Sequence, residues 1–109
     1  MNKKRSSLVA VLMIILSLTA CSSKQTVNTN NQTYTLTDVK QHNLKTDCWT
    51  VINNQVYDLS AYIASGQHKP VIEDGCGIDA TKIYQDVNKH SGGKAQNLLS
   101  GMLIGKLIN

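Results

Sequence analysis

Six side chains carry the chemistry of this sequence: His42, His68 and His90, and Cys21, Cys48 and Cys76. Neutral imidazole ligates iron, copper and zinc, and thiolates take part in metal binding, disulfides and lipidation. A histidine met singly is more often a surface or core residue than a ligand, so the frame around each must decide among the three. The cysteines divide by setting. Cys21 closes the run Leu18-Thr19-Ala20-Cys21 after an apolar stretch, whereas Cys48 and Cys76 lie in the body of the chain. In an exported domain such an even pair is read as a disulfide first and as a metal site second.

The setting of Cys21 is that of an export signal. Lys3, Lys4 and Arg5 form a basic cluster, Leu8 to Leu18 is apolar, and small residues precede the cysteine. A helix of that apolar length spans about 16 Å against a hydrocarbon core of about 30 Å, too short for a permanent crossing. Leu18 to Cys21 resembles the bacterial lipoprotein box, in which the cysteine becomes the lipidated first residue of the mature protein. Residues 1–20 are therefore expected to be removed as a signal peptide. Cys21 then carries the lipid, and residues 21–32, polar apart from Val27, form a flexible tether. With several acyl chains inserted at about 0.8 kcal/mol per buried CH₂, the anchor holds the protein at a membrane without spanning it. The expected location is the cell envelope, outside the cytoplasm. Ser22 stands where an aspartate would signal inner-membrane retention, which favours the outer membrane in a Gram-negative cell.

Processing also removes most of the apparent basicity. The formal net charge is +4, and without Lys3, Lys4 and Arg5 the mature chain has eight lysines against seven acidic residues. No basic stripe with interleaved aromatics remains, so nucleic acid is excluded as a partner. A folded part of this size supplies only a few kcal/mol from its core, and a disulfide, metal or buried cofactor is expected to help it.

The elements that must position the histidines are short. Tyr34-Thr35 reads as a strand, and Leu36 to His42 as one or two helical turns entered at Thr35 or Thr37. Trp49 to Ile52 and Gln55 to Asp58 flank Asn53-Asn54 as a hairpin. Leu59, Tyr62 and Ile63 keep helical spacing, with Ser60 as cap and Gly66 as stop. Ala80, Ile83, Tyr84 and Val87 follow the helical template behind Asp79, as do Ala95, Leu98, Leu99 and Met102 after Gly92-Gly93. Leu103 to Leu107 reads as a closing strand. The mixture is α+β, and the two apolar stripes are expected to face the core.

The order of short motifs resembles the cytochrome b5 family. Tyr34-Thr35-Leu36, Val39, His42-Asn43, Cys48-Trp49, Val56-Tyr57-Asp58-Leu59-Ser60 and Asp79-Ala80-Thr81 occur in family order, followed by His90-Ser91, Ala95 and Ile104-Gly105-Lys106-Leu107. The match covers about residues 33–108, and the expected domain is residues 33–109. It implies a cytochrome b5-like fold, a small mixed sheet with short helices forming a haem crevice, and a non-covalent haem b. The family's two axial ligands fall on His68 and His90, while His42 matches a helix-end histidine away from the iron. By the same resemblance Leu59, Tyr62, Tyr84, Leu98 and Leu99 line the crevice and Ser91 is placed to bond a propionate. Each ligand's second ring nitrogen is expected to donate to a backbone carbonyl or water. Trp49 and Ile52 read as general core.

One departure concerns the first ligand. His68-Lys69-Pro70-Val71 stands where the family has His-Pro-Gly-Gly, and the stretch from there to Asp79 is shorter. Cys48 and Cys76 fall in regions that lie near each other in such a fold, and a bridge between them is worth about 3 to 4 kcal/mol in the loop-entropy model. Covalent haem attachment is excluded because no Cys-x-x-Cys-His is present, and no flavin or nicotinamide fingerprint occurs. With both axial positions taken, one-electron transfer between unidentified redox proteins is the expected function, and catalysis is not. A haem-binding or haem-sensing lipoprotein, or a scaffold that has lost haem, are the rival readings.

Overall fold

Short strands and short helices alternate along residues 31–109, the part of the chain that the computed structural model describes. Their order is β1 (Thr33–Tyr34), α1 (Leu36–Gln41), β2 (Asn43–Leu44), β3 (Asp47–Ile52), β4 (Gln55–Asp58) and α2 (Ser60–Ala64), then a first 3₁₀ turn (Pro70–Gly75). It continues with α3 (Thr81–Gln85), a second 3₁₀ turn (Asn88–Ser91), α4 (Gly93–Ser100) and β5 (Leu103–Leu107). The expected signal, Cys21 and most of the tether lie outside the described residues. None of the described helices is long and apolar enough to cross a membrane.

Asn53 and Asn54 take φ of 52° and 60°, the left-handed pair that a two-residue type I′ turn requires and asparagine tolerates. They join β3 to β4 in antiparallel register from Trp49 opposite Asp58 to Ile52 opposite Gln55. The full sheet has the order β1-β5-β4-β3-β2 and is antiparallel except where β1 runs along β5. Alternation along β3 separates two cores, because successive side chains point to opposite faces. On one face Val51 and Val56 pack with Val39 of α1, flanked by Tyr34, Trp49, Ile104 and Leu107. On the other, Cys48, Ile52, Tyr57, Leu59 and Cys76 are buried, and Ile63, Ile72, Tyr84, Leu99, Met102 and Leu103 pack onto them. The second face carries α2, α3, α4 and both 3₁₀ turns, and it is the face with His68 and His90.

Helix starts follow side-chain chemistry. Thr35 and Asp38 form a capping box over α1: the Thr35 hydroxyl accepts from Asp38 N–H at 3.2 Å and the Asp38 carboxylate accepts from Thr35 N–H at 2.7 Å. For α2 the sequence points to Ser60 as cap, and the structure corrects this. Asp58 accepts from the Ser60 N–H at 2.9 Å and from its hydroxyl at 2.6 Å, while the same hydroxyl accepts from Cys48 N–H at 2.9 Å. A carboxylate two residues ahead is the stronger acceptor, so the hydroxyl is left to tie the helix to β3. Asp79 repeats the arrangement, accepting from Thr81 N–H and hydroxyl, and that hydroxyl accepts from Asn53 N–H at 2.9 Å.

The two helical stripes differ from expectation. The helix expected over 80–87 stops at Gln85 and gives way to the second 3₁₀ turn. The Tyr84 carbonyl is taken at 3.0 Å by the Nδ1 of His90, which supplies the donor that a further helical turn would have provided. Nor are the stripes wholly core: Ile83, Val87 and Leu98 are 50%, 40% and 41% exposed. Among the described residues no layer covers these side chains, which leaves part of the apolar face open.

Candidate functional site

His68 follows α2 and Gly66, whose φ of 68° ends the helix. Its Nδ1 lies 3.0 Å from the carbonyl oxygen of Lys69. That carbonyl also accepts the Ile72 N–H at 3.2 Å, so the ring is oriented by the first turn of the Pro70–Gly75 segment. His90 sits in the second 3₁₀ turn and is held more closely. Its Nδ1 lies 3.0 Å from the Tyr84 carbonyl, its ring stacks on the Tyr84 ring at 4.4 Å and 17°, and the Tyr84 hydroxyl donates to its carbonyl at 3.4 Å.

Because a carbonyl can only accept, both Nδ1 atoms are donors, and in the neutral imidazole that leaves Nε2 with the lone pair. The two rings lie with centroids 6.1 Å apart and planes tilted by 39°. Two metal–imidazole bonds of about 2 Å, each with about 1.1 Å from nitrogen to ring centre, require about 6.2 Å. The pair therefore has the spacing to hold one metal ion between opposite faces. Among the described residues no group of three or more His, Cys, Asp or Glu could hold a metal. The remaining coordination positions would have to come from a non-protein ligand, and a planar macrocycle supplies four.

The surrounding side chains are those of an apolar crevice. Leu59 is buried in the core beneath, and Tyr62 is half-buried with its ring edge-on to His68 at 6.1 Å. Tyr84 and Leu99 pack on the core, and they also line a cleft of about 430 Å³ beside the pair, whose wall mixes Ile52, Tyr57 and Leu103 with Asn53, Gln96 and Asn97 and includes neither histidine. Leu98 faces outward and is 41% exposed. Ser91 is exposed, and its hydroxyl donates to the Asn88 carbonyl at 2.8 Å, leaving its lone pairs but not its proton for another partner. Burial pushes the Tyr57 phenol up, aided by Tyr84, and burial pushes the Tyr84 phenol up, so both stay neutral through the physiological range.

His42 lies apart from this pair. Its ring stacks on Trp49 at 3.6 Å and its Nδ1 contacts the Asp47 carboxylate at 2.7 Å. Trp49 is half-buried and Ile52 is core. Cys48 and Cys76 are joined as a disulfide with Cα atoms 4.8 Å apart. Sequence reasoning did not name the Lys69 and Tyr84 carbonyls, since no residue type marks a main-chain acceptor. It also took Val87 as core, where it is 40% exposed three residues before His90.

The family model of the Cytochrome b5-like Heme/Steroid binding domain matches residues 35–108. A cytochrome b5 of Rhizopus stolonifer is 36% identical over 76 residues, which cover 68% of this chain and 56% of that one. Cytochrome b558 of Ectothiorhodospira vacuolata, a prokaryotic homologue of cytochrome b5, superposes with a TM-score of 0.63 at 29% identity, covering 70% of this chain and 98% of that one. A cytochrome b5 of Ostreococcus tauri virus 2 gives 0.58 at 26% identity, covering 69% and 95%. The chain spans about half the length of the cytochrome b5 relatives it matches.

Proposed function

The chain belongs to the cytochrome b5-like family, and from that membership we propose that it carries single electrons on a non-covalent haem b held between His68 and His90. The observation that carries this reading is the pair of imidazoles with centroids 6.1 Å apart, each with Nδ1 engaged by a carbonyl. A steroid would have no use for two neighbouring imidazoles at the spacing of a metal-bridged pair, so haem is favoured among the ligands the family name offers.

When bound, haem supplies a one-electron iron couple. His68 and His90 would hold the iron, and the Lys69 and Tyr84 carbonyls, by accepting from Nδ1, would leave Nε2 of each ring for it. The Tyr84 stack restrains rotation of the His90 ring. With both ligands fixed from the main chain, reduction and oxidation need little movement of the protein. Leu59, Leu99 and Ile63 form an apolar wall that keeps water from the crevice floor, and the exposed Val87 and Leu98 offer apolar surface to the macrocycle. This assignment is of a carrier between other redox proteins and not of a catalyst.

A full-length preparation loaded with haemin tests the reading by voltammetry and by mixing the reduced form with carbon monoxide. The proposal expects a reversible one-electron wave and refusal of carbon monoxide. Rapid carbon monoxide binding would favour haem sensing, and the observation behind that rival is the lighter hold on His68, whose nearest aromatic neighbour, Tyr62, stands 6.1 Å away.

The carrier is further proposed to be a lipoprotein of the cell envelope, tethered through Cys21 and facing outside the cytoplasm. The basic cluster, apolar run and Leu18-Thr19-Ala20-Cys21 motif support this. Mass spectrometry of the mature N-terminus should find a diacylglyceryl group on Cys21. A mature chain that begins elsewhere, unlipidated, would exclude it.

A further inference from the structure

The two candidate ligands are anchored unequally. His90 is held within one short stretch, by stacking and two hydrogen bonds to Tyr84. His68 has one bond, to the carbonyl of its own neighbour Lys69, so its placement is that of the segment it begins. Pro70 opens that segment, Ile72 reaches the core, and Cys76 closes it with an N–H donated to the Glu73 carbonyl at 3.1 Å.

Cys48 lies at the other end of the same loop. Its N–H is held by the Ser60 hydroxyl at 2.9 Å and its carbonyl accepts the Leu59 N–H at 2.8 Å, which fixes the start of α2 to β3. The bridge to Cys76 then fixes the end of the 3₁₀ turn to the same residue. The stretch from Ser60 to Cys76, with His68 near its middle, is thus clamped at both ends on Cys48. Beyond it the chain has separate anchors, since Gly77 N–H donates to Trp49 and Ala80 N–H to Val51.

We propose that the Cys48–Cys76 disulfide is the positioning element of His68, so that opening it releases this ligand while His90 keeps its place. The inference rests on the haem reading above. A dithiol reductant would open the bridge by exchange. Its thiolate attacks Cys76 Sγ, on the more exposed of the two cysteines at 8% against 0%, and Cys48 leaves as a thiolate that takes a proton. The second thiol of the reductant resolves the mixed disulfide, freeing protonated Cys76 and leaving the reductant oxidised, with two electrons and two protons passed to the protein. In an oxidising compartment the clamp stays closed, and it opens where dithiols are abundant.

The test uses the full haemin-loaded chain and its Cys48→Ala/Cys76→Ala form. The double variant should lose low-spin character as His68→Ala does, and bind carbon monoxide at least tenfold faster than wild type. Val51→Ala, equally buried on the opposite face of β3, should lower stability without either change. If the double variant does not fold, the wild type treated with tris(carboxyethyl)phosphine should show faster amide exchange over residues 65–75 and unchanged exchange over 88–100. Loss of melting temperature with wild-type spectrum and carbon monoxide rate, or uniform exchange, would overturn the proposal. A wild-type spectrum in His68→Ala would instead remove the ligand assignment on which it stands.

Discussion

Replacing Tyr84 tests how His90 is held. Tyr84→Ala removes a ring stacked on the imidazole at 4.4 Å and 17° but keeps the main-chain carbonyl that accepts from Nδ1 at 3.0 Å. Orientation of the proton on the ring should therefore survive, and the loss is that of packing. An aromatic pair is worth about 0.5 to 1.5 kcal/mol beyond its area, which corresponds to a haem dissociation rate raised about 2- to 12-fold. Deleting a half-buried ring from the core should cost the apo-protein about 1 to 2 kcal/mol besides. Tyr84→Phe keeps the stack and drops the 3.4 Å hydroxyl contact, so its haem dissociation should match wild type. The assay is haem transfer to apomyoglobin beside urea unfolding of the apo-form. The Tyr84 phenol is raised above its ordinary 10.0 by burial. Its neutral form favours folding, so stability is intact below pH 10 and falls as pH rises through the raised value, less in Tyr84→Phe. Unchanged haem dissociation in Tyr84→Ala, with stability reduced, would refute the idea that the stack holds the ligand.

Three further outcomes follow from single contacts. Thr35→Ala should cost about 1 kcal/mol by urea unfolding, and because bonding to Thr35 lowers the Asp38 pKa, the wild-type advantage should fade as pH falls through that lowered value. Gly77→Ala should destabilise by more than about 1 kcal/mol, since φ is 78° and the new Cβ would lie 2.7 Å from Asn43 Cβ. His42→Ala should leave the haem spectrum unchanged while altering Trp49 fluorescence, because that ring stacks on Trp49 at 3.6 Å and not on the ligand pair.

The hairpin was legible in the sequence because Asn53-Asn54 states its turn and the flanking runs are rich in β-formers. The α+β class and the b5-like fold follow from such local signals in family order. The Pro70–Gly75 turn was not legible: a 3₁₀ segment of six residues has no hydrophobic period, and its ends are set by Pro70 and Cys76. Helix α3 was read too long since Val87 continues the spacing, while the event that stops the helix is a side-chain bond from His90. Helical spacing marks Val87 as core, but it is 40% exposed, because spacing shows which face is apolar and not what covers it. For the site, residue types and order pointed to His68 and His90, but the distance between their rings and the carbonyls that engage their Nδ1 atoms depend on tertiary placement.

Which side chains ligate the iron is read directly by low-temperature electron paramagnetic resonance of the ferric full-length protein. It should give one low-spin species in wild type and in His42→Ala, and high-spin iron in both His68→Ala and His90→Ala. A wild-type low-spin signal that persists in either of the last two would contradict ligation by His68 and His90.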